Sequence, residues 1–195
     1  SSTVLPNIEA HRKNKREIAA MEDGSDDLKR VYKQYGTTLL GLLIPKSFVF
    51  ALQLGDGDIC YANASGLELV IEPEKMLGVE THSLSRDNAW EKAITAVRRF
   101  DLADHLPAMF VLSSDGFANS YKSEDEFHNT VMDYLKMINE HGAKAVEENL
   151  PSWLSETSSM GCGDDITMLI AYFSQDDEKK VPVQEPAKDE VDAIE

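Results

Sequence analysis

The hydrophobic positions change period partway along the chain. Residues 37–44 (TTLLGLLI) and 47–54 (SFVFALQL) are short apolar runs parted by Pro45 and Lys46, which predicts two strands joined in a hairpin. Residues 58–62 and 67–71 continue as strands, divided by the turn cluster Asn63-Ala64-Ser65-Gly66. From Asp87 the spacing lengthens. Trp90, Ala93, Ile94, Val97 and Phe100 recur every three or four residues, which predicts one face of a helix over 87–100. Residues 108–113 return to strand. Ser123 with Glu126 forms a capping box that opens a helix carrying Phe127, Val131, Leu135 and Ile138 on one face, with Gly142 as its stop. A third helical stretch over 143–155 is expected to be interrupted near Pro151, and residues 166–173 (ITMLIAYF) form a last strand.

Antiparallel strands, then helices, then isolated strands predict an α+β fold with helices laid against sheets. The regular βαβ alternation and glycine-rich loop of a nucleotide-binding fold are missing. The sequence divides into a charged segment, 1–34, a folded domain, 35–173, and an acidic tail, 174–195, expected to be disordered.

Composition narrows the function. The chain has 195 residues, 42% of them hydrophobic, enough for one substantial core. Its 35 acidic against 19 basic residues give a formal charge of -16. A field of that sign repels nucleic acid and anionic membranes, so neither is an expected partner. Cys60 and Cys162 stand far apart with no C-x-x-C, which argues against a thiolate zinc site and suits a reducing compartment. With no membrane-span-length apolar run and no signal-peptide core, a cytoplasmic location is expected.

The candidate chemistry lies where carboxylates meet strand ends. In MFVLSSDGF an apolar strand runs into Asp115-Gly116, and in GCGDDITMLIAYF a glycine turn leads through Asp164-Asp165 into another. A side chain at the end of a buried element is well fixed in position. Carboxylates converging from separate strands repel unless a cation lies between them, and an all-oxygen set suits Mg²⁺ or Mn²⁺. Each motif also has an ordinary reading as a turn. Asp56-Gly57 in LQLGDGDICY has the letters of a primed hairpin turn, with Asp58 as its solvated flank. It is no calcium loop, because Cys60 and Tyr61 stand where an acidic residue and the turn glycine belong.

The order of these motifs carries more than any one of them. Tyr35-Gly36-Thr37-Thr38, then LQLGDGDI, then FVLSSDGFANSY, then GCGDDITMLIAYF resembles the protein phosphatase 2C family of metal-dependent serine/threonine phosphatases, in its bacterial-type branch, with the segment Glu80 to Leu84 in the same style. The resemblance spans about residues 35–173. It implies an antiparallel β-sandwich flanked by helices. It further implies that Asp115 and Asp164 are metal ligands and that Asp56 is a ligand of an additional, weaker ion. Asp165 would support the site without binding metal directly, and Gly116 and Gly57 would let backbone or ligand approach closely. Two Mg²⁺ or Mn²⁺ ions, on the order of 3.5–4 Å apart, would activate a water for attack on a phosphorylated protein substrate. His82, His105, His128 and His141 are candidates for protonating the leaving group, though none sits in a motif.

One part of the family pattern has no counterpart. The family opens with a strand ending in Glu-Asp and an Asp-Gly-x-Gly loop that completes the metal pair. Glu22-Asp23-Gly24 has the letters, but no apolar strand precedes it. The first strands and half of the metal site are therefore expected to be missing, and this chain alone is expected to be incomplete or inactive. A non-catalytic interaction module is the alternative. Substrate choice is expected on the loop 72–87.

Overall fold

The computed structural model describes residues 36–45, 47–72, 82–86, 88–99 and 105–174. The charged segment 1–34, Glu22-Asp23-Gly24, Phe100, residues 175–195 of the tail and residues 73–81 of the expected substrate loop lie outside the described residues.

Among the described residues, seven strands form two antiparallel sheets. The first has the order β1–β2–β5, with β1 Leu39–Leu43, β2 Phe48–Leu54 and β5 Ile94–Arg99. The second runs β4–β3–β6–β7, with β3 Asp58–Asn63, β4 Gly66–Leu69, β6 Ala108–Ser113 and β7 Met168–Phe173. The expected β1–β2 hairpin is present, with Leu42 opposite Ala51.

Alternation along β3 and β6 builds two cores from one sheet. Ile59 and Tyr61 of β3, with Ala108 and Phe110 of β6, face the first sheet and pack with Val49 and Ala51 of β2. Cys60 and Ala62, with Met109 and Val111, face the other way, against the helices. Both faces of these strands are dry, which is why β6 reads as a continuous apolar run. Arg98 of β5 joins the sheets at their edge, donating to Glu68 Oε2 at 2.9 Å and to the Leu69 carbonyl at 3.0 Å.

The helical layer comprises the short α1, Asp115–Ala118, then α2, Glu124–His141, and α3, Ala143–Met160. The cap of α2 forms as its sequence predicts. Ser123 Oγ accepts from the Glu126 N–H at 3.2 Å, and Glu126 Oε2 accepts from the Lys122 N–H at 3.1 Å. Gly142 follows at φ +86, a conformation that favours glycine. Phe127, Val131, Leu135 and Ile138 are buried as expected, joined by Tyr134, whose ring stacks on Trp153 of α3 at 5.9 Å.

Three expectations are corrected. The stretch 87–100 is not a helix: a 3-10 turn, Ala89–Lys92, leads directly into β5. Its helical spacing is coincidental, because Ile94 and Ala96 also alternate into the inter-sheet core while the β-branched Thr95 and Val97 point away, opposite Leu52 and Phe50 of β2. Trp90, assigned to the buried face, is 75% exposed. The helix over 143–155 is not broken at Pro151 but runs through to Met160. Pro151 and Glu147 are both exposed, so water can satisfy the carbonyl that the missing N–H leaves open. Finally, Asp56-Gly57 is not a hairpin turn. β2 and β3 belong to different sheets, so this turn is the corner at which the chain crosses the sandwich.

Candidate metal centre

The corner places Asp56 between the sheets. Gly55 adopts φ +107, and a Cβ there would press on Thr38 and lie 3.3 Å from the His82 carbonyl oxygen. A Cβ on Gly57 would meet the Ser113 carbonyl oxygen at 2.5 Å and a Leu40 methyl at 2.9 Å. Only glycine lets the corner lie this close to its neighbours. The Gly36-Thr37-Thr38 element supports it from outside: the Thr37 N–H donates to Ser83 Oγ at 2.9 Å, and the Leu84 N–H donates to the Thr37 carbonyl at 2.9 Å.

Asp115 lies where β6 gives way to α1. Ser114 ties this point to the chain entering β7. Its N–H donates to the Thr167 carbonyl at 2.9 Å, while its Oγ donates to the Asp165 carbonyl at 3.2 Å and accepts from the Thr167 N–H at 3.0 Å. The loop of residues 161–167 is thereby laid over Gly116, where a Cβ would stand 2.7 Å from the Asp165 carbonyl oxygen and 3.4 Å from Asp164 Cβ. Ser158 Oγ holds the loop from α3, donating to the Asp164 carbonyl at 2.6 Å. Gly116→Ala should accordingly push this loop off α1, lowering stability by about 1–3 kcal/mol as overpacking does. Urea unfolding would measure it, and an unchanged midpoint would refute the tight contact.

Asp56 and Asp115 line one cavity, and the loop carrying Asp164 packs on Gly116, next to Asp115. Burial raises the Asp115 carboxyl above the ordinary carboxylate value, and the charges of Asp56 and then Asp164 raise it further. The N–H groups of Gly116 and of Asp115 itself act in the opposite direction. Asn119 Nδ2 donates to Asp115 Oδ2 at 3.4 Å. Asp165 contributes to the packing through its carbonyl, while its N–H donates to Asp164 Oδ1 at 2.9 Å.

Beside the carboxylates lies a cavity of about 510 Å³, lined by Asp56, Asp58 and Asp115 on the strand side and by Asn119, Lys122 and His128 on the helix side. Of the four candidate histidines, His128 is the one in this lining. His105 meets the ring of Tyr61 edge-on, and His141 sits beside Glu140 at the end of α2. The contacts of Ser114, Ser158 and Asn119 were not foreseen from sequence. Ser114 alone had a signal, as the leading residue of the Ser-Asp-Gly element.

The donor set fits a hard divalent cation. Asp56, Asp58 and Asp115 line the cavity with the oxygen donors that such an ion takes. Among the described residues, no three carboxylate, imidazole or thiol groups are gathered as closely as a bound ion draws its ligands.

Two antiparallel sheets with helices packed on one of them make an α+β sandwich. The protein phosphatase 2C family profile matches residues 4–155, and the chain belongs to that family. The structure is similar to that of the Mycobacterium tuberculosis serine/threonine phosphatase PstP/Ppp, with a TM-score of 0.50 at 14% identity, over 80% of this chain and 70% of that one. It is also similar to PppA, a key regulatory component of T6SS in Pseudomonas aeruginosa (TM-score 0.47, 18% identity, 75% of this chain). A third likeness is to the phosphatase domain of the cell fate determinant SpoIIE from Bacillus subtilis (TM-score 0.43, 13% identity, 87% of this chain and 75% of that one). This chain spans 65% of the length of the PppA structure. No curated protein sequence matches it. No helix among the described residues is long and apolar enough to cross a membrane.

Proposed function

We propose that this chain is a metal-dependent protein serine/threonine phosphatase that hydrolyses phosphomonoesters on protein substrates. One observation carries the reading: Asp56 of the corner and Asp115 of the strand end line one cavity, and the loop bearing Asp164 packs on Gly116 beside them. Asp115 and Asp164 would hold Mg²⁺ or Mn²⁺, and Asp56 would hold a further, weaker ion. Such ions would supply the Lewis acidity that activates water and offsets the charge of a phosphoryl group.

The chain's own residues set the geometry. Gly116 and Gly57 admit close packing, Ser114 locks the strand end to the 161–167 loop, and Asp165 contributes its carbonyl to that lock. The adjoining cavity gives a phosphorylated side chain room to enter. The charge of -16 disfavours nucleic acid and anionic membranes as partners. The free thiols Cys60 and Cys162 fit a cytoplasmic location.

The sequence carries no strand followed by the family's Asp-Gly-x-Gly loop, so turnover by this chain alone should be slow. Mn²⁺ binding should nonetheless be measurable by isothermal titration. Hydrolysis of p-nitrophenyl phosphate, where detectable, should require Mn²⁺ and stop with EDTA. A chain that takes up no Mn²⁺ would instead be a non-catalytic interaction module.

A further inference from the structure

We infer that Gln53 is a positioning residue that fixes Asp56 in its place at the corner between the sheets. The inference rests on the phosphatase reading above, in which Asp56 is a metal ligand. Along β2 the inward positions are Val49, Ala51 and Gln53, the first two apolar members of the inter-sheet core. An amide at the third breaks the pattern, and it is 2% exposed.

Its hydrogen bonds say what it does there. Gln53 Nε2 donates to the Gly57 carbonyl at 2.7 Å and to the Gly55 carbonyl at 3.2 Å, the residues on either side of Asp56. Neither carbonyl can donate, so the amide must present its nitrogen, and the opposite orientation would set oxygen against oxygen. The remaining atom, Oε1, is buried without a hydrogen-bond partner. A buried orphan acceptor costs stability relative to an apolar side chain of similar shape. The clamp on the two carbonyls is what Gln53 provides that such a side chain would not. An aspartate flanked by two glycines has a soft backbone on both sides. The Gly55 carbonyl lies in the peptide plane entering Asp56 and the Gly57 carbonyl in the plane leaving Gly57, so the clamp brackets Asp56 and restricts the direction in which its carboxylate points.

Gln53→Met tests this, because it preserves size and removes both donors. The variant should melt no lower than the parent by a wide margin. Its Mn²⁺ affinity at the Asp56-dependent site should fall about tenfold, the low end of what substituting a ligand's support costs. In a double-mutant cycle the substitution should add nothing to Asp56→Asn, whereas a merely structural role would give additive losses. A metal-free readout separates this inference from the reading beneath it. In the parent, the ¹⁵N–¹H heteronuclear NOE at Asp56 and Gly57 should match that of the flanking strands, and it should drop in Gln53→Met. Parental rigidity at both amides together with parental Mn²⁺ affinity would overturn the inference. If the parent binds no Mn²⁺, the phosphatase reading fails while the NOE comparison still judges the clamp. If Gln53→Met does not fold, the parent's Gln53 side-chain amide protons decide, since rapid exchange with solvent would overturn the clamp.

Discussion

Asp115→Asn is expected to abolish the response of the protein to Mn²⁺ while making the metal-free protein more stable. In the parent, an ion that binds only the folded state raises stability by about 2.7 kcal/mol at a hundredfold excess over Kd. Without the Asp115 charge, that increment should vanish from the melting curve, and any Mn²⁺-dependent hydrolysis should fall by about 100-fold or more, since even outer-shell substitutions reach that size. The metal-free gain follows from electrostatics. The Asp115 carboxyl is raised by burial and by the Asp56 and Asp164 charges, so the folded state holds its proton more tightly than the unfolded chain does. Ionisation at neutral pH therefore disfavours folding. As pH falls through the raised value toward the ordinary carboxylate range, the parent should gain stability that Asp115→Asn does not. Melts with and without Mn²⁺, from neutral pH downward, read both effects. An undiminished Mn²⁺ increment in the variant would remove Asp115 from the site.

Phe117→Ala is expected to cause the largest loss of stability, about 3–5 kcal/mol, as a fully buried aromatic does when truncated. Phe117 is 0% exposed and sits in α1, two residues after Asp115. Its ring meets Tyr121 at 5.3 Å and Phe127 at 5.5 Å, both edge-on, and lies parallel to Tyr134 at 6.3 Å. A four-residue helix has almost no stability of its own. This one is held by the side chain that follows the Asp-Gly pair, so the variant should also bind Mn²⁺ more weakly. Urea unfolding gives the first quantity and titration calorimetry the second. A loss near that of a surface substitution, within about 0.5 kcal/mol, would mean that α1 is anchored some other way.

Much of the fold was legible because its signals are local. The β6 strand, the capped start of α2 and the glycine at its end follow from residues within a few positions of one another. The reading of 87–100 failed where two periods fit the same letters. Ile94 and Val97 satisfy a helical stripe, and the partner that makes them a strand, β2, lies some forty residues earlier. Pro151 misled because a proline's cost depends on whether the orphaned carbonyl meets water, which only exposure reveals. At the site, Asp115, Asp164 and Asp56 stood out through the order of their motifs; Asp56 and Asp115 line one cavity, and the loop carrying Asp164 packs on Gly116. Gln53 did not stand out. Its importance lies in two carbonyl oxygens, and backbone acceptors leave no mark in a sequence.

The corner at Gly55 to Gly57 belongs to both halves of the sandwich, whereas Asp115 is rooted in the second sheet alone. If the further ion proposed at Asp56 also reached Asp115, it would act as a rivet through the two layers. Sliding one layer over the other would tear that fastening, so the mechanical cohesion of the domain would rise and fall with the free divalent-ion concentration around it.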